Sequence, residues 1–82
     1  MIINLKGSEA AVNSTPSTFG SATCVRVVAT ANTLLTLKDS SNNVIGTCTM
    51  LGDTTEYIQK AHTDTIESNV AALGVSVGFT ID

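Results

Sequence analysis

Thr, Val and Ile supply 27 of the 82 residues, as 13, 8 and 6. These β-branched side chains suit a pleated, half-buried surface and lose χ1 freedom in a helix. Straight-chain helix formers are scarce: three Glu, one Gln, three Lys and one Arg. No window carries a 3.6-residue apolar stripe with helix caps. The chain therefore reads as all-β. Its length allows one domain, spanning 1–82, with a small core.

The strand pattern is clearest after Thr23. Cys24–Thr30 alternates, with Val25, Val27 and Ala29 on one face and Arg26 on the other. Leu34–Lys38 and Val44–Leu51 flank Asp39-Ser40-Ser41-Asn42-Asn43, whose residues favour turns through local side-chain bonds and left-handed backbone. Leu34–Leu51 is thus expected to be a hairpin. Thr55–Lys60, with charged flanks, reads as a strand at an edge or with one wet face. Thr65–Ser68 is a short strand, and 69–74 is open between a loop and a helical turn. Val75, Val77, Phe79 and Ile81 alternate with small or polar residues to the end of the chain. With a first strand at Ile2–Lys6, these predict a small β-sandwich or β-barrel of six to seven short antiparallel strands. The expected inward residues include Val27, Leu35, Leu37, Val77 and Phe79.

Residues 7–21 hold Gly, Ser, Asn, Thr and the one proline, Pro16, and are expected to be irregular. The chain divides into an N-terminal strand and arm, 1–22, and a β core, 23–82. Phe19 is expected to plug the arm onto the core. The rest of the arm has too little apolar surface to order itself, so its order is expected to come from a neighbouring subunit or shell. Deleting residues 1–18 should then leave the β core folded but weaken binding to the capsid or to sister subunits, and deleting Gly7–Ser17 alone tells an assembly contact from a mere connector.

Composition narrows the function classes. Charged residues are 13% of the chain, about half the ~25% usual for soluble domains. The formal net charge is −3, and four basic residues make no footprint for nucleic acid. The apolar content, 43%, excludes an intrinsically disordered chain. No apolar run reaches the ~18 residues of a membrane helix. The start, Met1-Ile2-Ile3-Asn4-Leu5-Lys6, is not a signal peptide, and the chain is expected to be a whole gene product without general export. Asn13-Ser14-Thr15 matches a glycosylation sequon, expected to be a chance match. Cys24 and Cys48 are too few for a disulfide scaffold and are expected to be free, mostly buried thiols.

Little chemistry is written in the chain. His62, Asp64 and Glu67 form one cluster of ligand-type side chains, which Asp53 or Glu56 could complete around a divalent metal. No spacing here matches a metal motif, and a solvated turn of ordinary polar residues is the preferred reading. The glycines are isolated, so no phosphate-cradling loop occurs, and His62 lacks a nucleophile context. With one Tyr and no Trp there is no aromatic platform for bases or sugars. The chain is expected to be no enzyme and to need no cofactor or metal. Arg26 is either an exposed strand residue or one half of an ion pair across a subunit interface.

Val25-Arg26-Val27-Val28-Ala29-Thr30, Leu35-Thr36-Leu37-Lys38-Asp39-Ser40-Ser41 and Thr55-Glu56-Tyr57-Ile58-Gln59-Lys60 give the chain its texture. It resembles the small virion structural proteins of tailed bacteriophages, of marine and cyanobacterial phage type, in particular capsid decoration (cement) proteins. The resemblance covers roughly Thr23 to Ile81 and rests on no diagnostic motif. It implies a homo-oligomer, a trimer in the cement case, located in the virion against the major capsid protein or other virion proteins. Contacts are expected at Pro16, Phe19, Arg26 and Tyr57. A low-charge surface, which favours association, and sheet edges that need covering fit the same role. Two alternatives stay open: a tail, fibre or adhesion module binding through the loop at 39–43, and a small metal-binding protein built on His62.

Overall fold

The computed structural model describes residues 2–80. Eight antiparallel strands form two sheets: β1 (Ile2–Leu5), β2 (Ala10–Val12), β3 (Cys24–Ala29), β4 (Thr33–Lys38), β5 (Val44–Met50), β6 (Thr54–Gln59), β7 (Thr65–Ser68) and β8 (Ala72–Thr80). The larger sheet runs β1-β8-β3-β6, with β2 also paired to β8; the smaller runs β5-β4-β7. The all-β fold expected from the sequence forms; of the sandwich and the barrel it is the sandwich, with eight strands among the described residues in place of six to seven. The expected hairpin is β4–β5, turning at Asp39–Asn43, and β6 lies at an edge, as its charged flanks suggest.

One core joins the sheets. The larger contributes Val12, Val25, Val27, Ala29 and Ala72; the smaller contributes Leu35, Met50 and Ile66. Leu37 and Ile58 pack against it, half-buried. Fully burying each of the Val, Leu, Ile and Met side chains of this core is worth about 1.5–3 kcal/mol.

Three expectations need correction. The first concerns the arm. Ala10–Val12 pairs with Ala72–Gly74 as an eighth strand, and Val12 is 1% exposed in the core. β1 and β2 lie along the same edge of β8, interrupted by 6–9, and the chain then crosses to the other sheet. There Ser17 and Ile66 exchange backbone hydrogen bonds of 3.2 and 2.9 Å. The Ser68 amide donates to Asn13 O at 2.8 Å. The segment is therefore ordered by its own domain, because Val12 supplies an anchor and β7 an edge needing partners.

The second concerns β8. Residues 69–74 hold no helical turn; the strand begins at Ala72 and runs extended to Thr80. Its register places Ala72 and Gly74 opposite the core residues Ala29 and Val27. Val75 and Val77 therefore face away from the core, although both are buried. Half-buried Arg26 lies directly opposite Val75 on β3, where its stem can cover the valine, and Leu5 lies opposite Val77 on β1. The small-residue face turns inward because Phe19 occupies the space over Gly74. A Cβ there would come within 2.9 Å of the Phe19 ring and 3.0 Å of Val12 Cγ2. The expected positions of Ile81 and of the Phe79 side chain lie outside the described residues.

The third concerns the thiols. Both cysteines are free, but only Cys24 is half-buried; Cys48 is exposed. By register Cys48 pairs with the inward-facing Leu35, so it points between the sheets. It is open to solvent because β5 is an edge strand that none of the described residues overlies at that point.

Candidate functional site

The edges of the sandwich differ in how they end. At β7, the segment 13–17 covers the outer backbone groups. The Ser68 hydroxyl lies 3.0 Å from Val12 O and 2.7 Å from Val70 O, and its one proton serves either acceptor. Phe19 closes this side. It has φ 54°, followed by Gly20 at 70° and Ser21 at 60°, a left-handed run that costs energy at Phe and Ser. Local bonds hold it: Phe19 N donates to Ser17 Oγ at 3.1 Å, Ser21 N to Thr18 Oγ1 at 3.2 Å, and Ala22 N to Thr18 O at 3.1 Å. Lys60 Nζ then donates to Ala22 O at 2.6 Å. Burial pushes the Lys60 ammonium below its ordinary pKa, and the nearby Asp64 carboxylate opposes that shift.

On the opposite side, between β5 and β6, the sandwich is open. A cleft of about 190 Å³ is lined by Leu35, Leu37, Gly46, Cys48, Ile58 and Ile66. Gly46 contributes no side chain to its rim, so Leu37 and Ile58 stay half-exposed. β5 is exposed over its first six residues, with Val44 at 58% and Ile45 at 54%. Leu34 directs both backbone groups toward the β7 side: its amide reaches Asn69 Oδ1 at 2.8 Å and its carbonyl accepts from Asn69 N at 3.3 Å. In an antiparallel ladder this direction alternates. Leu35 therefore bonds Cys48, and the amides and carbonyls of Thr47 and Thr49 point to the free edge.

The sequence-predicted contact residues fall into two places. Arg26 and Tyr57 are directly opposite each other on β3 and β6, on the outer face of the larger sheet. Pro16 is exposed and Phe19 half-buried, both in the segment that closes the β7 side. Pro16 also borders a hollow where the Asp39–Asn42 tip meets His62 and Thr63. Asp39 is the organiser of that tip. Hydrogen bonds from the Asn43 and Ser41 amides hold its carboxyl below the usual carboxylate pKa. The proposed metal constellation is not assembled. Asp64 is buried and accepts from Ala61 N at 3.0 Å, and Asp53 sits at the opposite end of β6 from His62. Among the described residues no three His, Cys, Asp or Glu side chains gather in a metal-holding group.

The open cleft was missed by sequence reasoning. The available signal was Gly46 and Cys48, two small residues at inward positions of a strand that also carries no charge from Val44 to Leu51. Comparison of the chain with protein-family models, curated proteins and solved structures finds no match.

Proposed function

We propose that this chain is a non-enzymatic structural subunit of a viral particle, a capsid decoration protein that works by protein–protein contact with the major capsid protein or another virion protein. The observation that carries the reading is the open side of the sandwich. Among the described residues, one outer edge of a chargeless strand, β5, is left unpaired beside an apolar cleft. Natural β-proteins usually blunt such edges with charge, proline or a covering segment. This chain covers β7 in that way and leaves β5 bare. Exposed Leu5, Leu73 and Tyr57 add apolar area on the outer face of the larger sheet.

A second reading has its own observation. The hollow at the loop end, bordered by Asp39, Ser40, Asn42 and His62, would suit a tail or adhesion module that binds a small ligand.

Mass analysis of purified particles tests the first reading. It requires this chain in a fixed copy ratio to the main shell protein. Particles that lack it would remove that role. Loss of host adsorption after replacing the 39–43 loop, with particle stability unchanged, would favour the second.

A further inference from the structure

We infer that β5 is a homodimerisation edge: it pairs antiparallel with β5 of a second copy, joining the two β5-β4-β7 sheets into one six-stranded sheet. This rests on the assembly reading in taking the open side as a contact surface; it gives that side to a second copy and leaves the exposed Leu5, Leu73 and Tyr57 face of the larger sheet for the shell.

The choice of occupant follows from charge and backbone. An antiparallel pairing of a strand with itself repeats every charge about the two-fold axis, so a charged edge is repelled in some registers, whereas an uncharged one meets no repulsion in any. β6 carries Glu56, and the β1–β2 edge is flanked by Lys6 and Glu9. The β7 edge is covered by residues 13–17. Val44–Leu51 has no acidic or basic residue and no proline, so self-pairing costs it no repulsion and loses no donor.

The register is also constrained. The ladder shifts between Leu37 and Lys38, which places Ile45 in an irregular stretch. Thr47 and Thr49 are the regular residues whose backbone groups point outward. Setting Thr47 of one copy against Thr49 of the other uses both and places the two-fold axis at Cys48. The two Cys48 side chains then occupy a non-hydrogen-bonded pair, with Cβ atoms about 4.5–5.5 Å apart. Both face inward, so the two clefts meet beneath them and the apolar walls at Leu37 and Ile58 lose their contact with water.

The test is light scattering on the full chain from about 1 µM to 1 mM, beside Thr47→Pro and Thr47→Lys. The Thr47 amide faces away from β4, so proline there spares the internal ladder. The expected result is a mass of twice the 8.5 kDa chain for the wild type and a monomer for both variants. Leu5→Lys, on the outer face of the other sheet, should remain a dimer. A short bis-maleimide should join two chains through Cys48 in a Cys24→Ser background. This readout leaves the edge unaltered and stands even where a Thr47 variant fails to fold. A wild type that stays monomeric throughout, a dimer that survives both Thr47 changes, or absence of the Cys48 cross-link would overturn the inference. A monomer that is still a fixed-ratio particle component would leave the assembly reading intact. A β5 dimer absent from particles would remove that reading and keep this one.

Discussion

Along β7 the backbone groups of Ile66 and the Ser68 amide find partners in residues 13–17, whereas along β5 those of Thr47 and Thr49 face water. Both are edges of the same three-stranded sheet. The difference lies in what the chain places beside each. Next to β7 runs a segment anchored by Val12 at one end and Phe19 at the other, with small hydroxyl residues between that bond locally or to the neighbouring edge. Next to β5 the chain makes only the short turn at Gly52–Asp53 before β6, leaving nothing to fold over the cleft. A small domain can thus close one side by folding a polar segment onto it and keep the other for contact.

The largest expected effect comes from cutting the closed side. Deleting 7–17 removes Val12 and all the bonds on the β7 edge. For a domain whose total stability is of the order of 0.05–0.15 kcal/mol per residue, it should abolish cooperative unfolding in circular dichroism. Val12→Ala should lower stability by about 2 kcal/mol in a urea titration. Gly74→Val should cost about 1–3 kcal/mol, since its side chain meets the Phe19 ring. Retention of wild-type stability in these variants would mean that the segment is only a connector.

A smaller effect should be readable in pH. Lys60 ties this segment to β6, and its pKa in the fold lies below the ordinary 10.5. The unfolded chain therefore binds more protons as pH rises from the folded pKa toward 10.5, and stability should increase over that window. Relative to Lys60→Met, the wild-type melting temperature should rise on going from neutral pH into that range. A fall would reverse the sign of the argument.

The smallest effects belong to the open side. Thr47→Lys should change the stability of the monomer by less than about 0.5 kcal/mol. Cys48 should react with a maleimide faster than Cys24 in dilute native protein. Cys24 is half-buried, and desolvation raises its thiol pKa, so it presents less thiolate. The gap should narrow as pH climbs above the Cys24 pKa. Equal rates near neutral pH would mean that the two environments do not differ.

Sequence patterns found the hairpin because Asp39 and Asn43 carry turn chemistry that the structure uses atom for atom. They found the alternation in β8 but assigned its faces wrongly. A period of two shows that a strand has two faces; which one is packed depends on what reaches it, here Phe19 and Val12 over Gly74. β2, with three residues, is too short to show any period and is defined by its pairing with β8. Cys48 was placed on the correct strand, yet its exposure depends on the missing cover over an edge. Arg26 and Tyr57 could be assigned to outer faces by alternation, but their meeting across β3 and β6 required the register.

The most direct test of one closed and one open side is amide hydrogen exchange in dilute, monomeric protein. The amides of Ile66 and Ser68 should be strongly protected, because Ser17 O and Asn13 O accept from them at 2.9 and 2.8 Å. Those of Thr47 and Thr49 should exchange at close to the unprotected rate, then slow as concentration rises and β5 edges pair. Thr47 and Thr49 amides as protected as Ile66 and Ser68 in the dilute monomer would contradict the account.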